Sequence, residues 1–231
     1  MVQCRVLKQV KPNVIYITEF SKERLNLSND YRNNCYDLTN FVEIKKKDRV
    51  QVEKNENYLF IGRISAEKGI DVFCEAITAA RVPGIVIGEG PLKKEYEGKY
   101  PAISFVGWKS HNEMMEYLQK ARGLVISSKW YETMGLTAVE MQQYGIPCVV
   151  PKECAASEYV KNKVDGLLYT IGDSMSLAEC LKALNDDKYI ENLSKSFFNN
   201  LDLERFSMQS HGDKLVDIYN DILKIGKASN D

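Results

Sequence analysis

The chain has 231 residues, with 31 Lys and Arg against 32 Asp and Glu for a formal net charge of −1, and is 44% hydrophobic and 27% charged, the balance of a soluble globular protein. This charge offers no global field for nucleic acid or an anionic membrane, no window reaches the about 18 consecutive apolar residues of a transmembrane helix, and MVQCRVLKQVKP lacks the features of a signal peptide. Six scattered cysteines without a Cys-x-x-Cys pair, and two distant histidines, His111 and His211, argue against a zinc ribbon, a redox pair, a His-rich metal centre or a Ser-His-Asp hydrolase, and the thiols read as reduced, cytosolic and largely core.

The first 56 residues form an incomplete layer. NVIYITEFSKERL (13–25) predicts a strand followed by a helix with Ser21 as N-cap. DLTNFVE (37–43) predicts a second short strand, and EIKKKDRVQVEKNEN (43–57) a charged linker. One strand and one helix cannot bury their own faces, so this stretch reads as part of a neighbouring domain.

From residue 57 short apolar runs alternate with amphipathic ones. The runs NYLFIG (57–62), GIVIG (84–88), ISFVG (103–107), GLVIS (123–127) and IPCVV (146–150) are separated by helical patterns over 69–81, around PLKKEYEGK with Pro91 as first helical residue, over HNEMMEYLQKA, and over MGLTAVEMQQYG. Apolar runs of this length separated by helices predict a parallel sheet covered on both faces, an α/β doubly wound domain. Beyond Pro151 the pattern predicts a short strand within GLLYTIGD (166–173), a helix over SMSLAECLKALND capped by Ser174 or Ser176, and helices over about 187–200 and 204–225. The last carries Phe206, Met208, Leu215, Ile218, Tyr219, Ile222 and Leu223 on one broad apolar face, ahead of a tail, KIGKASND, expected to fray. The division expected is 1–50, 51–203 and 204–231.

In an open parallel sheet, ligands bind at the carboxyl ends of the strands, so the loops there are the places to search. The loop Gly62 to Gly69 holds Arg63 and Lys68, cations suited to phosphate, or else a solvated loop in which both pair with Glu67. Gly88 and Gly90 permit close approach of a ligand to the backbone, or simply make a tight turn. Trp108 can flank a planar base, or lie half-buried against the next helix. In the loop Ser127 to Glu140 a helix is expected to begin near Met134 with Thr133 as N-cap, its amides forming an anion site. Glu132 and Glu140 flank that site, as suits a molecule with hydroxyls at both ends and phosphates between. Alternatively, Glu132 serves the helix dipole and Glu140 is a surface charge. Asp186-Asp187 reads as a solvated turn rather than a metal motif.

Taken together, FIGRISAEKG (60–69), GEGP (88–91), ISFVGW (103–108), SSKWYETMGLTAVEMQQYGIPCVV (127–150), KNKVDGLLYTIGD (161–173) and the closing FS…VDIYNDIL (206–223) resemble the Rossmann-like, donor-binding C-terminal domain of GT-B glycosyltransferases of the large retaining family 4. The Glu-x7-Glu pair, Glu132 and Glu140, is the most specific part of that likeness. YITEFSKERL (16–25) is similar to the end of the partner N-terminal acceptor domain, and the final helix would cross back to cover that domain. The resemblance implies that Arg63 and Lys68 bind the donor diphosphate and stabilise the leaving nucleotide, and that Glu132 contacts the transferred sugar. It implies that Glu140 holds the ribose, and that the backbone near Thr133, Met134, Gly135 and Leu136 receives the phosphates. Gly62, Gly88, Gly90 and Trp108 would lie near the nucleoside. No metal or cofactor is implied beyond a UDP- or GDP-linked donor as substrate. A glycan or lipid-linked acceptor and a cytoplasmic place, peripheral at the inner membrane face, complete the expectation. With the acceptor domain reduced to about 50 residues, the alternative is a non-catalytic nucleotide-sugar-binding module that needs a partner chain or self-association.

Overall fold

The computed structural model describes residues 12–25, 35–45, 47–130, 132 and 134–228. The chain packs as two units, Lys45–Leu201 and a smaller one built from both chain ends, Met1–Ile44 with Asp202–Asp231.

In the smaller unit, strand β1 (Val14–Tyr16) leads into helix α1 (Glu19–Leu25), and strand β2 (Cys35–Asp37) pairs with β1 in parallel. The cap of α1 is Thr18 rather than Ser21: the Ser21 amide donates to Thr18 Oγ1 at 3.2 Å, which makes Ser21 the third helical residue. The second strand also lies earlier than 37–43, because Val42 donates instead to the carbonyl of Phe206 at 3.0 Å.

The larger unit begins inside the expected linker. Val50 and Val52 are buried, and the Arg49 guanidinium binds Glu53 at 2.8 Å and Ser194 at 2.9 Å, holding the Glu53 carboxyl below its ordinary range. Only the lysine-rich first half of the linker matches its charged composition. Strands β3 (Asn57–Ile61), β4 (Gly84–Ile87), β5 (Ser104–Gly107), β6 (Ala121–Val125), β7 (Cys148–Pro151) and β8 (Leu167–Tyr169) follow, interleaved with helices α2 (Ile70–Ala80), α3 (Lys93–Lys99), α4 (His111–Leu118) and α5 (Leu136–Gln142). Helices α6 (Ser174–Ala183) and α7 (Asp187–Asn199) close the unit, and α8 (Met208–Ala228) belongs to the smaller one. All six strands of the larger unit are parallel, in the order β5-β4-β3-β6-β7-β8, the doubly wound arrangement that the alternating runs predict.

Local chemistry sets the helix ends. Ser110 and Glu113 form a reciprocal capping box at α4. Asp173, not Ser174 or Ser176, caps α6 by accepting from Met175 and Ser176, both at 2.9 Å. Pro91 and Leu92 form a turn before α3 rather than its first residues. The core is continuous through the sheet: Tyr58, Leu59, Phe60, Val86, Leu124 and Val149 from strands, with Phe73, Leu177, Leu181 and Phe197 from helices. Of the described cysteines Cys74, Cys148 and Cys154 are buried, and burial pushes the Cys74 thiol up to about 12. Cys4 lies outside the described residues.

The Asp186-Asp187 pair is exposed between two helices, as expected, but both side chains are also engaged. Asp186 caps α7 through Tyr189 N–H at 2.9 Å, and Asp187 accepts from Arg122 at 2.8 Å. Arg122 stands at the start of β6 and is buried, with its side chain 7% exposed. It also donates to the carbonyls of Leu184 and Asn55, at 2.8 and 2.9 Å. This one side chain thus ties the segment before β3 and the α6–α7 junction to the central strand.

In the smaller unit His211 bonds the Thr39 carbonyl at 2.9 Å and meets the Phe41 ring edge-on. The broad apolar face of α8 divides: Phe206 and Ile218 are buried, whereas Met208, Val216, Tyr219 and Leu223 are exposed. The helix runs on through 224–228 of the tail expected to fray, and 229–231 lie outside the described residues. Among the described residues no helix is long and apolar enough to cross a membrane.

Arg122→Ala is expected to destabilise the larger unit by about 3 kcal/mol, since it strands one buried and one part-buried carbonyl. Asp187→Ala removes only an exposed partner and is expected to cost under about 1 kcal/mol. Urea unfolding followed by circular dichroism measures both.

Candidate functional site

The strand order reverses between β3 and β6. From β3 the chain moves outward to β4 and β5, and from β6 to β7 and β8, so the loops after β3 and β6 part over a crevice at the carboxyl edge. Arg63, Lys68 and Glu132 all lie on these two loops.

The loops are fastened to one another through the backbone. Ser127 Oγ donates to the Lys68 carbonyl and Ser128 Oγ to the Glu67 carbonyl, each at 3.1 Å, and the Lys129 amide donates to the Glu67 carbonyl at 2.9 Å. The Lys129 ammonium pairs with Asp71 at the start of α2. Gly69 has φ +67°, and a Cβ there would stand 1.8 Å from the Ser127 carbonyl oxygen, so only glycine permits both the turn and this approach. Gly69 matches the expectation that glycine at either end of this loop lets the backbone turn, whereas the sequence does not single out Ser127, Ser128 or Lys129 as fasteners. Ser127 and Ser128, two polar residues directly after the apolar run of β6, were the available signal.

Across the crevice Lys68 Nζ meets Glu132 Oε1 at 2.6 Å, with the side chains 36% and 22% exposed. Lys68 is therefore not paired with Glu67, whose carboxylate accepts from Ser65 Oγ at 2.7 Å and is held below its ordinary range mainly by that bond. Arg63 is exposed and makes no hydrogen bond or ion pair among the described residues.

The loop after β4 backs onto the loop after β3. Ile64 donates to the Glu89 carbonyl at 2.9 Å and accepts from Leu92 at 3.2 Å. A Cβ at Gly88 would meet the Gly62 carbonyl oxygen at 1.9 Å, and one at Gly90 the Ile64 carbonyl oxygen at 2.2 Å. The close approach that these glycines permit is thus to neighbouring backbone. Trp108 follows β5 and is 70% exposed rather than half-buried against α4.

Helix α5 begins at Leu136, two residues beyond the expected start. Gly135, at φ 75°, caps it without a side-chain bond and packs against Ala156. Met134 is buried in the approach to the helix, and Thr133, the expected cap, lies outside the described residues. With Ala138 bonded to the Gly135 carbonyl, the amides of Leu136 and Thr137 have no partner among the described residues. Glu140, one turn on, is half-buried and has no hydrogen-bond or ion-pair partner among the described residues. Burial raises its carboxyl above the ordinary range, with the nearby His111 opposing in part. Among the described residues no group of three or more His, Cys, Asp or Glu is placed to hold a metal.

Among the described residues, the carboxyl edge of the sheet thus carries an unpaired guanidinium, an ammonium–carboxylate pair, helix-start amides without partners and a half-buried carboxylate without one. The cations and amides can receive phosphate, and the carboxylates can accept hydroxyl donors.

The family described as Glycosyl transferases group 1 matches residues 41–200. The UDP-Gal:alpha-D-GlcNAc-diphosphoundecaprenol alpha-1,3-galactosyltransferase of Escherichia coli is 27% identical over 77% of this chain and 49% of its own length. The O-antigen chain mannosyltransferase C of Escherichia coli is 25% identical over 72% of this chain and 47% of its own. The chain thus spans about half the length of the curated relatives it matches. Among solved structures, Anabaena Alr3699/HepE in complex with UDP-glucose superposes with a TM-score of 0.79 at 18% identity, covering 95% of this chain and 68% of that one.

Burial that raises the Glu140 carboxyl also makes its ionised form a cost to folding. Its contribution is most favourable below the unfolded value near 4.5 and is lost as pH rises through the higher folded value. Glu140→Gln is accordingly expected to raise Tm at pH 7, and the gain to vanish below about pH 4.5, where folded and unfolded carboxyls are both protonated. Melting curves of the two proteins across pH 4–8 check this.

Proposed function

The chain belongs to the glycosyl transferases group 1 family, and from that premise we propose that it is the donor-binding half of a retaining, family 4 glycosyltransferase. It holds a UDP- or GDP-linked sugar in the crevice between the loops after β3 and β6, for transfer to a glycan or lipid-linked acceptor in cell-surface polysaccharide or glycolipid assembly. The observation that carries this reading is the Lys68–Glu132 pair, which joins the loop after β3 to the loop after β6 across 64 residues of sequence. The names of the Escherichia coli relatives, one a galactosyltransferase using UDP-Gal and one an O-antigen mannosyltransferase, support a nucleotide sugar and a surface polysaccharide.

In this reading Arg63 and Lys68 bind the diphosphate and offset the charge that grows on the leaving nucleotide, with the Leu136 and Thr137 amides beside them. Such fixed charges stabilise the departing group without a metal. Glu140, without a partner among the described residues, accepts from the ribose hydroxyls, and Glu132 from those of the sugar. Gly62, Gly88, Gly90 and Trp108 border the nucleoside. Retention of configuration and membership of family 4 rest on the likeness of the Glu132 and Glu140 spacing, and a cytoplasmic place at the inner membrane face on the class of acceptor.

A second reading, a donor-binding module inactive alone, is favoured by the smaller unit. Its described sheet has two strands of three residues each, too few to bury a sheet face, and α8 exposes Val216, Tyr219 and Leu223. Transfer requires an acceptor held against the donor and water kept out, so a further acceptor-domain polypeptide or a second copy would complete the enzyme.

Calorimetric titration with UDP, GDP, ADP and their sugar conjugates tests the donor site. One nucleotide series is expected to bind, and Arg63→Ala and Glu140→Ala each to weaken it about tenfold or more, the loss typical of a hydrogen bond to a charged group. Absence of binding to every nucleotide overturns the reading.

A further inference from the structure

We infer that Glu132 and the donor diphosphate compete for Lys68, and that this competition lets the crevice distinguish a nucleotide sugar from the bare nucleoside diphosphate left after transfer. The inference rests on the donor site proposed above and deepens it.

Three observations carry it. The Lys68–Glu132 bond, at 2.6 Å between half-buried side chains, has the length of a charge-assisted hydrogen bond, so without ligand the ammonium is already engaged. Arg63, five residues earlier, has no such partner among the described residues and is open to an anion at once. Finally, the two loops do not depend on this pair for their spacing. Ser127, Ser128 and the Lys129 amide bind the backbone of the opposite loop directly, and Gly69 seats against Ser127. The ion pair can therefore exchange partners while the walls of the crevice stay in place.

The energetic consequence differs between the two ligands. A bare nucleoside diphosphate that draws Lys68 onto its phosphates leaves the Glu132 carboxylate without its counter-ion and close to further negative charge, and an anion stripped of its partner is costly. A nucleotide sugar draws on the same cation but brings hydroxyl donors to the released carboxylate. Affinity for the product is thus lowered more than affinity for the donor. Specificity here comes from a penalty on the wrong ligand as much as from a contact with the right one, and the same penalty promotes product release.

The test compares wild type with Glu132→Gln, which keeps shape and removes charge, by titration with whichever of UDP or GDP binds and with its sugar conjugate. Glu97→Gln on the exposed face of α3 is the control for net charge. The expected result is that Glu132→Gln binds the bare nucleoside diphosphate about threefold to tenfold tighter, the range for losing one partly exposed competing ion pair. The sugar conjugate should bind no tighter, so the ratio of the two affinities falls. Lys68→Gln should weaken both ligands and, combined with Glu132→Gln, erase the gain. If wild type binds nucleotide and Glu132→Gln leaves the bare diphosphate unchanged or weaker, or if Glu97→Gln gives the same gain, competition for Lys68 is wrong and the donor site stands. If wild type binds no nucleotide, both are overturned.

Discussion

The adjacency of β3 and β6 is the constraint on which the rest of the site depends. These strands are neighbours in the sheet but are separated by two further strands and three helices in sequence. Their following loops must leave in divergent directions, because each crossover has to reach the next strand on its own side. The structure spans this divergence with hydrogen bonds from Ser127, Ser128 and the Lys129 amide to the backbone at Glu67 and Lys68. Gly69 supplies the left-handed turn that lets the backbones meet. These bonds to backbone carbonyls hold the loops together without calling on the Lys68–Glu132 ion pair.

The two ends of the sheet treat charge in opposite ways. At the amino end of β6, Arg122 is buried and bonded to two carbonyls and a carboxylate, so every donor direction it uses contributes to holding elements together. At the carboxyl end, Glu140 is half-buried with no hydrogen-bonding partner among the described residues, and burial shifts its titration upward. A half-buried carboxylate is thus kept there at a cost to folding. Glu67, one loop away, shows the contrast: Ser65 satisfies it, and its role is local.

The smaller unit follows a different logic. Its described strands are short, and its long helix α8 buries Ile218 and leaves Met208, Val216, Tyr219 and Leu223 exposed. His211, Phe41 and the Phe206 carbonyl join the two chain ends there. The face of α8 reads from sequence as one broad stripe because periodicity shows which residues share a side of a helix, not which part of that side meets a neighbour.

How much was legible from sequence follows from the range of the interactions. The five alternating runs predict five of the six strands of the larger unit, their parallel sense and the helices between them, because burial on both faces demands a continuous apolar strand and the crossover demands a helix, and GLLYTIGD gives the sixth. They also place Arg63, Lys68, Glu132 and Glu140 at strand ends or helix starts. Helix caps were less secure. Thr18, Asp173 and Gly135 displace the neighbouring hydroxyl residues named as caps, since several polar residues in a row compete and backbone direction selects among them. Partnership across the crevice lay beyond sequence altogether. Lys68 meets Glu132 and not the adjacent Glu67, and the exposed Asp187 also meets Arg122, because these pairs form only once elements distant in sequence lie side by side. Periodicity and residue chemistry determined the elements and the kinds of group at their ends, while the strand order decided which charges face one another. A charge pair is a matter of distance in space, and only the folded sheet sets that distance.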